Sequence, residues 1–288
     1  MNILQYASDL HLELRKIDTI PVINPIKKDG YENYLALCGD IGNPYIDTYK
    51  AFLDIHTKLY THILIISGNH EYYTSKSKQY TMTDMDSKLV EITKEYENIT
   101  YLNMDKLIIG RTKFIGCTLW SDISEIGVSV EEFMNDYKNI YVENIGTPNR
   151  TTCIFNGIYQ IKSKIKSDRS KLTSYHVLRL HREMRYWLQS EIDKYHNNTN
   201  TERRYDNIII LTHHAPSFQM LDKSDIYSPC YATDCENMMG PPVKYWISGH
   251  THTSKEININ GTTCMSNCMG YPGQKGTNYN DEKYVIFD

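Results

Sequence analysis

Histidine and aspartate residues recur at five points along the chain, each directly after a short apolar run. Imidazole and carboxylate groups bind divalent metal ions, and a set without thiolates suits Mn, Fe, Zn or Ni better than a structural zinc site. The side chains that could bind metal or transfer protons are Asp9, His11, Asp40, Asn69, His70, His213, His214, His250 and His252.

The spacing of these residues suggests paired ligands. Asp9 and His11 are two residues apart, and so are His250 and His252. In an extended segment such pairs point the same way, so each pair can present two groups to one cavity. Six or seven ligands are too many for one zinc and suit two adjacent ions, which about 3.5–4 Å apart can clamp a phosphate and lower the pKa of a shared water. The sequence therefore predicts a dinuclear centre in which a metal-bridging hydroxide attacks phosphate esters.

Strands must position these groups, because the apolar runs lead straight into them. Continuous apolar runs of this length fit strands that are buried on both faces. In α/β sheets, ligands collect at the carboxyl ends of the strands. The predicted strands cover residues 3–7, 34–38, 63–66, 208–211 and 245–247. Glycines at 39, 68 and 249 are expected to let the backbone turn sharply as a strand ends.

Helical spacing of apolar residues separates the predicted strands. It predicts helices over 49–59, 83–96 and 174–195, and the alternation of strands and helices indicates an α/β sheet with crossover helices. His176 and His181 in the third helix are expected at solvent-facing or rim positions. The last third of the chain contains strands joined by turns, and Asn260-Gly261 is a strong hairpin signal.

Composition narrows the class of protein. The chain has 288 residues with a net charge of −4, which gives no basic surplus for non-specific nucleic-acid binding. No apolar run reaches the roughly 18 residues of a membrane span, and the N-terminus does not read as a signal peptide. Seven scattered cysteines without a C-x-x-C pair indicate a reducing, cytoplasmic compartment. We interpret residues 1–288 as a single domain with an insertion at about 121–173.

The order of the motifs resembles the calcineurin-like metallophosphoesterase superfamily. The matching stretches are "SDLHLEL", "LCGDIG", "SGNHEYY", "LTHHAP" and "SGHTH", which run in order from residue 8 to residue 252. The resemblance implies an α/β fold, a four-layer α/β/β/α sandwich of two mixed β-sheets flanked by helices. It also implies two divalent metal ions, for which we expect manganese, with iron, zinc, nickel and magnesium as alternatives.

The same resemblance assigns roles residue by residue. The first metal would be held by Asp9, His11, Asp40 and His252, with Asp40 bridging. Asn69, His213 and His250 would complete the second site. His70 would be the catalytic histidine, donating a proton to the leaving oxygen or steadying the transferring phosphoryl group.

Several functions remain open within this class. The chain continues Gly39-Asp40 with Ile41-Gly42-Asn43, whereas the protein phosphatases of the superfamily carry G-D-x-V-D-R-G, so the phosphate-clamping arginine is missing. We therefore favour a phosphodiesterase acting on a nucleotide or other small-molecule phosphate ester, with a phosphomonoesterase as the alternative. A nuclease is less favoured; its basic track would come from Lys162, Lys164, Lys166, Arg169 and Lys171. A non-catalytic scaffold on the same fold is disfavoured because His70 and every ligand position are present.

Residues beside the motifs have plainer interpretations. Glu71 is expected to support the site or to cap a helix, and His214 to pack rather than to line the substrate pocket. Trp120 and Asp122 are either core and turn residues or part of the site rim. Tyr271 is placed near the mouth of the site. The cysteines Cys230, Cys235, Cys264 and Cys268 are expected to be inert.

Overall fold

The apolar runs form strands of two mixed sheets in the computed structural model, which describes residues 1–75, 77–143, 169–196 and 205–288. The first sheet has the order β13-β1-β2-β3-β4. Its strands are β1 (Asn2–Ala7), β2 (Glu32–Cys38), β3 (His62–Ile66), β4 (Ile99–Tyr101) and β13 (Tyr284–Phe287). Strands β1 to β4 are parallel, and β13 pairs antiparallel with β1 at the edge.

The second sheet has the order β11-β12-β10-β9-β6-β5. Its strands are β5 (Asp105–Ile109), β6 (Thr112–Cys117), β9 (Asn207–Thr212), β10 (Val243–Ser248), β11 (Glu256–Ile259) and β12 (Thr262–Ser266). The four inner strands are parallel, and the two edge strands are antiparallel to their neighbours. Asn260 and Gly261 both have positive φ between β11 and β12, which confirms the hairpin signal.

Five α-helices, seven short 3₁₀ helices and a small ribbon complete the described part of the chain. The helices are α1 (Asp47–His56), α2 (Met82–Thr93), α3 (Val130–Phe133), α4 (Asp136–Asn139) and α5 (Ser174–His196), and the ribbon pairs β7 (Tyr141–Glu143) with β8 (Arg169–Lys171). The four-layer prediction is confirmed: α1 and α2 cover the first sheet, and α5 covers the second.

Successive side chains of each strand point to opposite faces of the sheet, and both faces are covered, which explains why the runs are apolar throughout. In β2, Leu35 and Leu37 pack outward against α1 and α2, whereas Ala36 packs inward between the sheets. The layer between the sheets is filled from both sides, for example by Leu64 and Leu211, which are fully buried. Because both faces of these strands are covered, no polar face is needed before the strand ends.

Two helix predictions need correction at their ends. Helix α1 ends at His56, so Leu59 lies outside it and is exposed rather than part of its apolar stripe. Helix α2 begins at Met82 because Thr81 caps it: the Thr81 hydroxyl accepts a hydrogen bond from the Asp84 N–H, and the Asp84 carboxylate accepts one from the Thr81 N–H.

The prediction for the histidines of α5 is wrong for His181. Its side chain is buried, and its Nδ1 lies 3.3 Å from the carbonyl oxygen of Leu119. His181 lies on the side of the helix that faces the core, where its ring donates a hydrogen bond to the carbonyl oxygen of Leu119. His176 is half-buried near the start of the helix, as expected for a rim position.

The interpretation of 121–173 as an insertion stays a prediction, since residues 144–168 lie outside the described part. Within that part, no helix is long and apolar enough to cross a membrane.

Candidate metal centre

The polar clusters meet where β1, β2, β3, β9 and β10 end, at the carboxyl ends of parallel strands. Five of the predicted ligands have the left-handed backbone that non-glycine residues rarely adopt, with φ between 47° and 67°: Asp9, His11, Asp40, His250 and His252. Strained backbone of this kind concentrates at functional sites, where the surrounding fold holds it in place.

Glycines at the strand ends allow elements to approach closely. A Cβ on Gly39 would lie 2.5 Å from Nδ1 of His213, and one on Gly68 would collide with the carboxylate of Asp40. Gly39 also has a φ of 83°. Gly68 and Gly249 do not have positive φ, so their role is close packing rather than the sharp turn that the sequence suggested; a Cβ on Gly249 would lie 2.7 Å from the side chain of Ser8.

The first cluster consists of Asp9, His11 and His252, whose ligand atoms all lie within 4.8 Å of one another. Nε2 of His11 is 3.1 Å from Nε2 of His252, which is 3.4 Å from Oδ1 of Asp9. Nδ1 of His252 donates to the side-chain oxygen of Gln274 at 2.8 Å. That bond holds the proton on Nδ1 and leaves Nε2 free to bind metal.

The second cluster consists of Asp40, His213 and His250, again within 4.8 Å. Nδ1 of His213 donates to the carbonyl of Cys38 at 2.9 Å, so its Nε2 faces the cluster, 3.3 Å from Oδ1 of Asp40 and 3.1 Å from the amide oxygen of Asn69. Nε2 of His250 is buried and has no hydrogen-bond partner among the described residues. An orphaned buried nitrogen is costly, and a metal ion would satisfy it.

Asp40 lies between the two clusters. Its Oδ1 faces His213, and its Oδ2 is 4.0 Å from Nε2 of His11 in the first cluster. One carboxylate therefore offers an oxygen to each cluster. This placement agrees with the bridging role that the resemblance implies, and the donor set fits two adjacent divalent ions.

The charges around the clusters suit metal binding. Burial raises the pKa of Asp40, but the neighbouring histidines, with His213 contributing most, outweigh it and hold that pKa well below its usual range. Burial and the neighbouring His213 lower the pKa of His250 to about 3, which keeps its ring neutral. Metal ligands must be deprotonated, so an anionic Asp40 and a neutral His250 are in the form that binds. Burial lowers the pKa of His213, but Asp40 outweighs it and raises that pKa to about 10, so a metal ion would have to displace a proton from this ring.

His70 lies beside the first cluster rather than inside either one. Its Nδ1 is 2.9 Å from Oε1 of Glu13, its ring stacks on Tyr73 at 4.1 Å between centroids, and its backbone N–H donates to Oδ1 of Asp40 at 2.8 Å. Burial lowers the pKa of His70, but Asp40 and Glu13 more than compensate and raise it to about 9. The ring is therefore able to carry a proton at neutral pH.

Comparison with known protein families agrees with this geometry. A family model described as calcineurin-like phosphoesterase matches residues 6–254, most of the chain.

The chain belongs to the calcineurin-like phosphoesterases.

One protein and one solved structure are similar to this chain over nearly its whole length. The chain is 31% identical over 304 aligned residues to the uncharacterized protein L509 of Acanthamoeba polyphaga mimivirus, and the alignment covers 100% of this chain and 98% of that protein. The fold is similar to that of the phosphopantetheinyl hydrolase PptH of Mycobacterium tuberculosis, with a TM-score of 0.62, 13% identity, and coverage of 94% of this chain and 90% of that structure. At that identity the likeness shows a shared fold.

Glu71 of this phosphoesterase supports the two turns that follow β2 and β3. Its carboxylate accepts four backbone N–H bonds, from Asp40 at 2.9 Å, Ile41 at 2.6 Å, Gly42 at 3.1 Å and Gly68 at 2.6 Å. Burial and the Asp40 charge raise the pKa of Glu71 to about 7, and the backbone donors act in the opposite direction. The side chain ties together the turns after β2 and β3, which is the supporting role expected of it.

Three other residues near the motifs of this calcineurin-like phosphoesterase, His214, Trp120 and Asp122, have structural positions. His214 is buried between Trp120 and His250, with ring centroids 5.4 and 4.3 Å away, so it packs behind a predicted ligand. Trp120 is a core residue, and Asp122 forms an exposed turn with Ser124.

Tyr271 lies over the first cluster, at the mouth of the site. Its ring centroid is 4.4 Å from that of His11 and 4.5 Å from that of His252, and 42% of the residue is exposed. The position predicted from the sequence agrees with this. The cysteines Cys230, Cys235, Cys264 and Cys268 are buried and free, and burial raises their pKa values, which agrees with an inert role.

Three residues of the site were not predicted: Glu13, Asp136 and Gln274. Glu13 stands two residues after His11, and the same i, i+2 spacing that paired Asp9 with His11 could have identified it. Asp136 lies in a polar segment without clear periodicity, and Gln274 lies in a loop, so neither carried a signal in a single sequence.

Proposed function

We propose that this protein is a dinuclear metal-dependent hydrolase of phosphate esters. The observation that carries the proposal is the sharing of Asp40 between two clusters of buried metal-ligand atoms, with His70 beside them, in a calcineurin-like phosphoesterase. Asp9, His11, Asp40 and His252 would hold one ion, and Asp40, Asn69, His213 and His250 the other, with manganese as the preferred metal. When bound, two divalent ions would supply positive charge to the phosphoryl oxygens and lower the pKa of a water molecule between them.

The chain's own residues then set the geometry and move the proton. Because Nδ1 of His70 is held by Glu13, Nε2 is the ring atom free to face a substrate. A protonated His70 would donate its proton from Nε2 to the leaving oxygen, so that the leaving group departs as an alcohol. The stacked Tyr73 limits rotation of the ring.

The surroundings of the clusters support a diester rather than a monoester as substrate. Among the described residues, the metal-ligand side chains form hydrogen bonds and ion pairs with other histidines, with acidic or neutral side chains and with the backbone, not with Arg or Lys. A monoester carries an additional negative charge, for which a clamping arginine is useful. A small-molecule phosphodiester, such as a nucleotide-linked one, therefore remains our preferred substrate.

A nucleic-acid substrate is less favoured. Lys162, Lys164 and Lys166 lie outside the described residues. Arg169 hydrogen-bonds the carbonyl of Gln79 at 2.7 Å, and the ammonium group of Lys171 lies 3.6 Å from the centroid of the Tyr141 ring. These two basic side chains contribute to local structure rather than to an open track.

We place the protein in the cytoplasm. All six cysteines in the described part are free and buried, as suits a reducing compartment. Thiol titration of the unfolded protein is expected to find all seven cysteines free.

Hydrolysis of bis-p-nitrophenyl phosphate and of p-nitrophenyl phosphate, with added Mn²⁺, tests the proposal. We expect metal-dependent turnover of the diester and a loss of about 10²–10⁴-fold in kcat for His70→Ala, the range for removal of a general acid. A preference for the monoester would assign a phosphatase. No turnover of any phosphate ester by protein that holds two metals would instead support a scaffold.

A further inference from the structure

One carboxylate oxygen joins a predicted metal ligand to the predicted proton donor. Oε1 of Glu13 lies 3.1 Å from Nδ1 of His11 and 2.9 Å from Nδ1 of His70. The two imidazole rings meet edge to face, with centroids 4.4 Å apart. An ionised carboxylate only accepts hydrogen bonds, so each ring presents an Nδ1–H to Glu13 and leaves its Nε2 for other partners.

The backbone around Glu13 is fixed by the turn that carries Asp40. The N–H of Leu12 donates to the carbonyl of Ile41 at 2.9 Å, and the hydroxyl of Thr48 donates to the carbonyl of Leu12 at 2.9 Å. A Cβ on Gly42 would lie 2.9 Å from Cβ of Leu12, so a glycine is required for this approach. These contacts fix the backbone that carries Glu13, so the position of its carboxylate does not depend on a flexible loop.

The second carboxylate oxygen of Glu13 forms no hydrogen bond with the residues that the structure describes. Within this part of the chain, Oε2 is buried without a hydrogen-bond partner, whereas Oε1 accepts both Nδ1–H groups. Only 14% of the side chain is exposed. A buried carboxylate with one unpaired oxygen is costly for stability, which points to a function other than packing.

We propose that Glu13 is a positioning residue that orients two rings at once: His11, so that its Nε2 faces the metal cluster, and His70, so that its Nε2 faces the leaving oxygen. This assignment rests on the proposed function. The ligand and proton-donor roles assigned from the sequence do not include Glu13, although its carboxylate lies within 4.8 Å of ring nitrogens of His11 and His70. The hydrogen bonds, rather than the negative charge alone, carry the effect, because orientation of the ring nitrogens is what each role requires.

The test compares Glu13→Ala and Glu13→Gln with wild type, at saturating Mn²⁺, on bis-p-nitrophenyl phosphate. Glu13→Ala is expected to lower kcat by about 100-fold, the cost of a misplaced catalytic group. Glu13→Gln keeps an oxygen that accepts Nδ1–H and is expected to stay within about 10-fold of wild type, since the acceptor is preserved. Equal losses in the two variants would overturn the proposal. Asp18→Ala, an exposed carboxylate five residues away, is the matched control and is expected to be unchanged.

A double-mutant cycle separates action through His70 from a general structural effect. At saturating Mn²⁺, which offsets the weaker metal binding through His11, Glu13→Ala is expected to change kcat of the His70→Ala variant by less than about 3-fold, because coupled residues are not additive. A further loss of about 100-fold in kcat of the double variant would overturn the assignment.

Zn²⁺ affinity, measured by calorimetry, is expected to fall about 10–100-fold in Glu13→Ala through the effect on His11. An unchanged affinity would also overturn the assignment.

Ring ¹⁵N NMR spectra of the zinc-loaded protein make this test independent of activity. If wild type hydrolyses no phosphate ester, the proposed function fails. The spectra still decide the position of Glu13: an Nδ1–H on both His11 and His70 in wild type that is lost in Glu13→Ala supports it, and its absence from wild type contradicts it.

Discussion

Nδ2 of Asn69 donates a 2.8 Å hydrogen bond to Oδ1 of the buried Asp136, and this bond turns the amide oxygen of Asn69 toward Nε2 of His213. A carboxylate cannot donate when ionised, so the amide NH₂ must face Asp136 and the oxygen must face the second cluster. The same Oδ1 accepts the hydroxyl of Tyr73 at 2.6 Å. Asp136 thus fixes a proposed ligand and, through Tyr73, the ring of His70.

Replacing Asp136 is expected to weaken metal binding at the second cluster. Asp136→Ala leaves the Asn69 amide free to rotate, and outer-shell partners of this kind cost about 10–100-fold in metal affinity when removed. Asp136→Asn retains an acceptor oxygen and is expected to keep most of the affinity. Calorimetric titration with Mn²⁺ measures the difference, with the exposed Asp29→Asn as control. Wild-type affinity in Asp136→Ala would show that Asn69 needs no such support.

Glu71→Gln is expected to destabilise the whole fold. Each carboxylate oxygen of Glu71 accepts two backbone N–H bonds, so an amide NH₂ in either position would face two donors. Hydrogen bonds to a buried charged group contribute about 1.5–3 kcal/mol each, and we expect the free energy of unfolding to fall by roughly 3 kcal/mol. Urea unfolding at pH 8, where Glu71 is ionised, measures the change. The exposed Glu282→Gln serves as control, and a loss no larger than in Glu282→Gln would refute the supporting role.

A buried histidine far from the metal clusters is expected to make stability depend on pH. Nδ1 of His56 donates to the carbonyl of Phe52 at 2.7 Å, and its Nε2 accepts the N–H of Ile23 at 3.0 Å. The bond that Nε2 accepts requires the neutral ring, because a protonated ring has no acceptor. Burial lowers the pKa of His56 to about 4, and the Phe52 carbonyl offsets this only in part.

The sign follows from which state binds the proton. Between its ordinary pKa and about 4, His56 is protonated in the unfolded chain but not in the folded one, so its contribution is complete above pH 6.5 and is lost as the pH falls toward 4. The loss amounts to about 3 kcal/mol. Urea unfolding of wild type and His56→Leu measures it: the difference in free energy of unfolding between them should shrink by that amount from pH 7.5 to pH 4. A difference that does not change with pH would contradict this account.

The positions of the predicted ligands could be inferred from the sequence because each follows a strand that is buried on both faces. Five apolar runs end in polar groups, and the parallel strands of each sheet bring their carboxyl ends to one edge, so Asp9 had to lie near Asp40 and His213 near His250. The glycines beside them marked where backbones approach. Local pattern and sheet geometry together were sufficient for this part. That the edges of the two sheets meet depends on how the sheets pack, which the strand pattern does not specify.

The supporting residues depend on contacts between distant segments. Asp136 reaches Asn69 across 67 positions, from a short helix in a segment whose sequence shows no clear period. Burial of His181 likewise depends on the carbonyl of Leu119, 62 positions away. The spacing of apolar residues identifies which side of a helix faces the core, but not how deeply a given residue on that side is buried. By contrast, the spacing of Thr81 and Asp84 in the sequence indicates a helix cap and would have predicted the start of α2 correctly.

The most direct test of the central claim is turnover of bis-p-nitrophenyl phosphate as a function of metal bound per chain. Protein stripped of metal with a chelator is reconstituted with increasing Mn²⁺, and bound metal and kcat are measured on the same samples. Because Asp40 joins two clusters, we predict negligible turnover without metal and full turnover only when two ions are bound per chain. Full turnover in the stripped protein, or at one ion per chain, would contradict a dinuclear phosphoesterase.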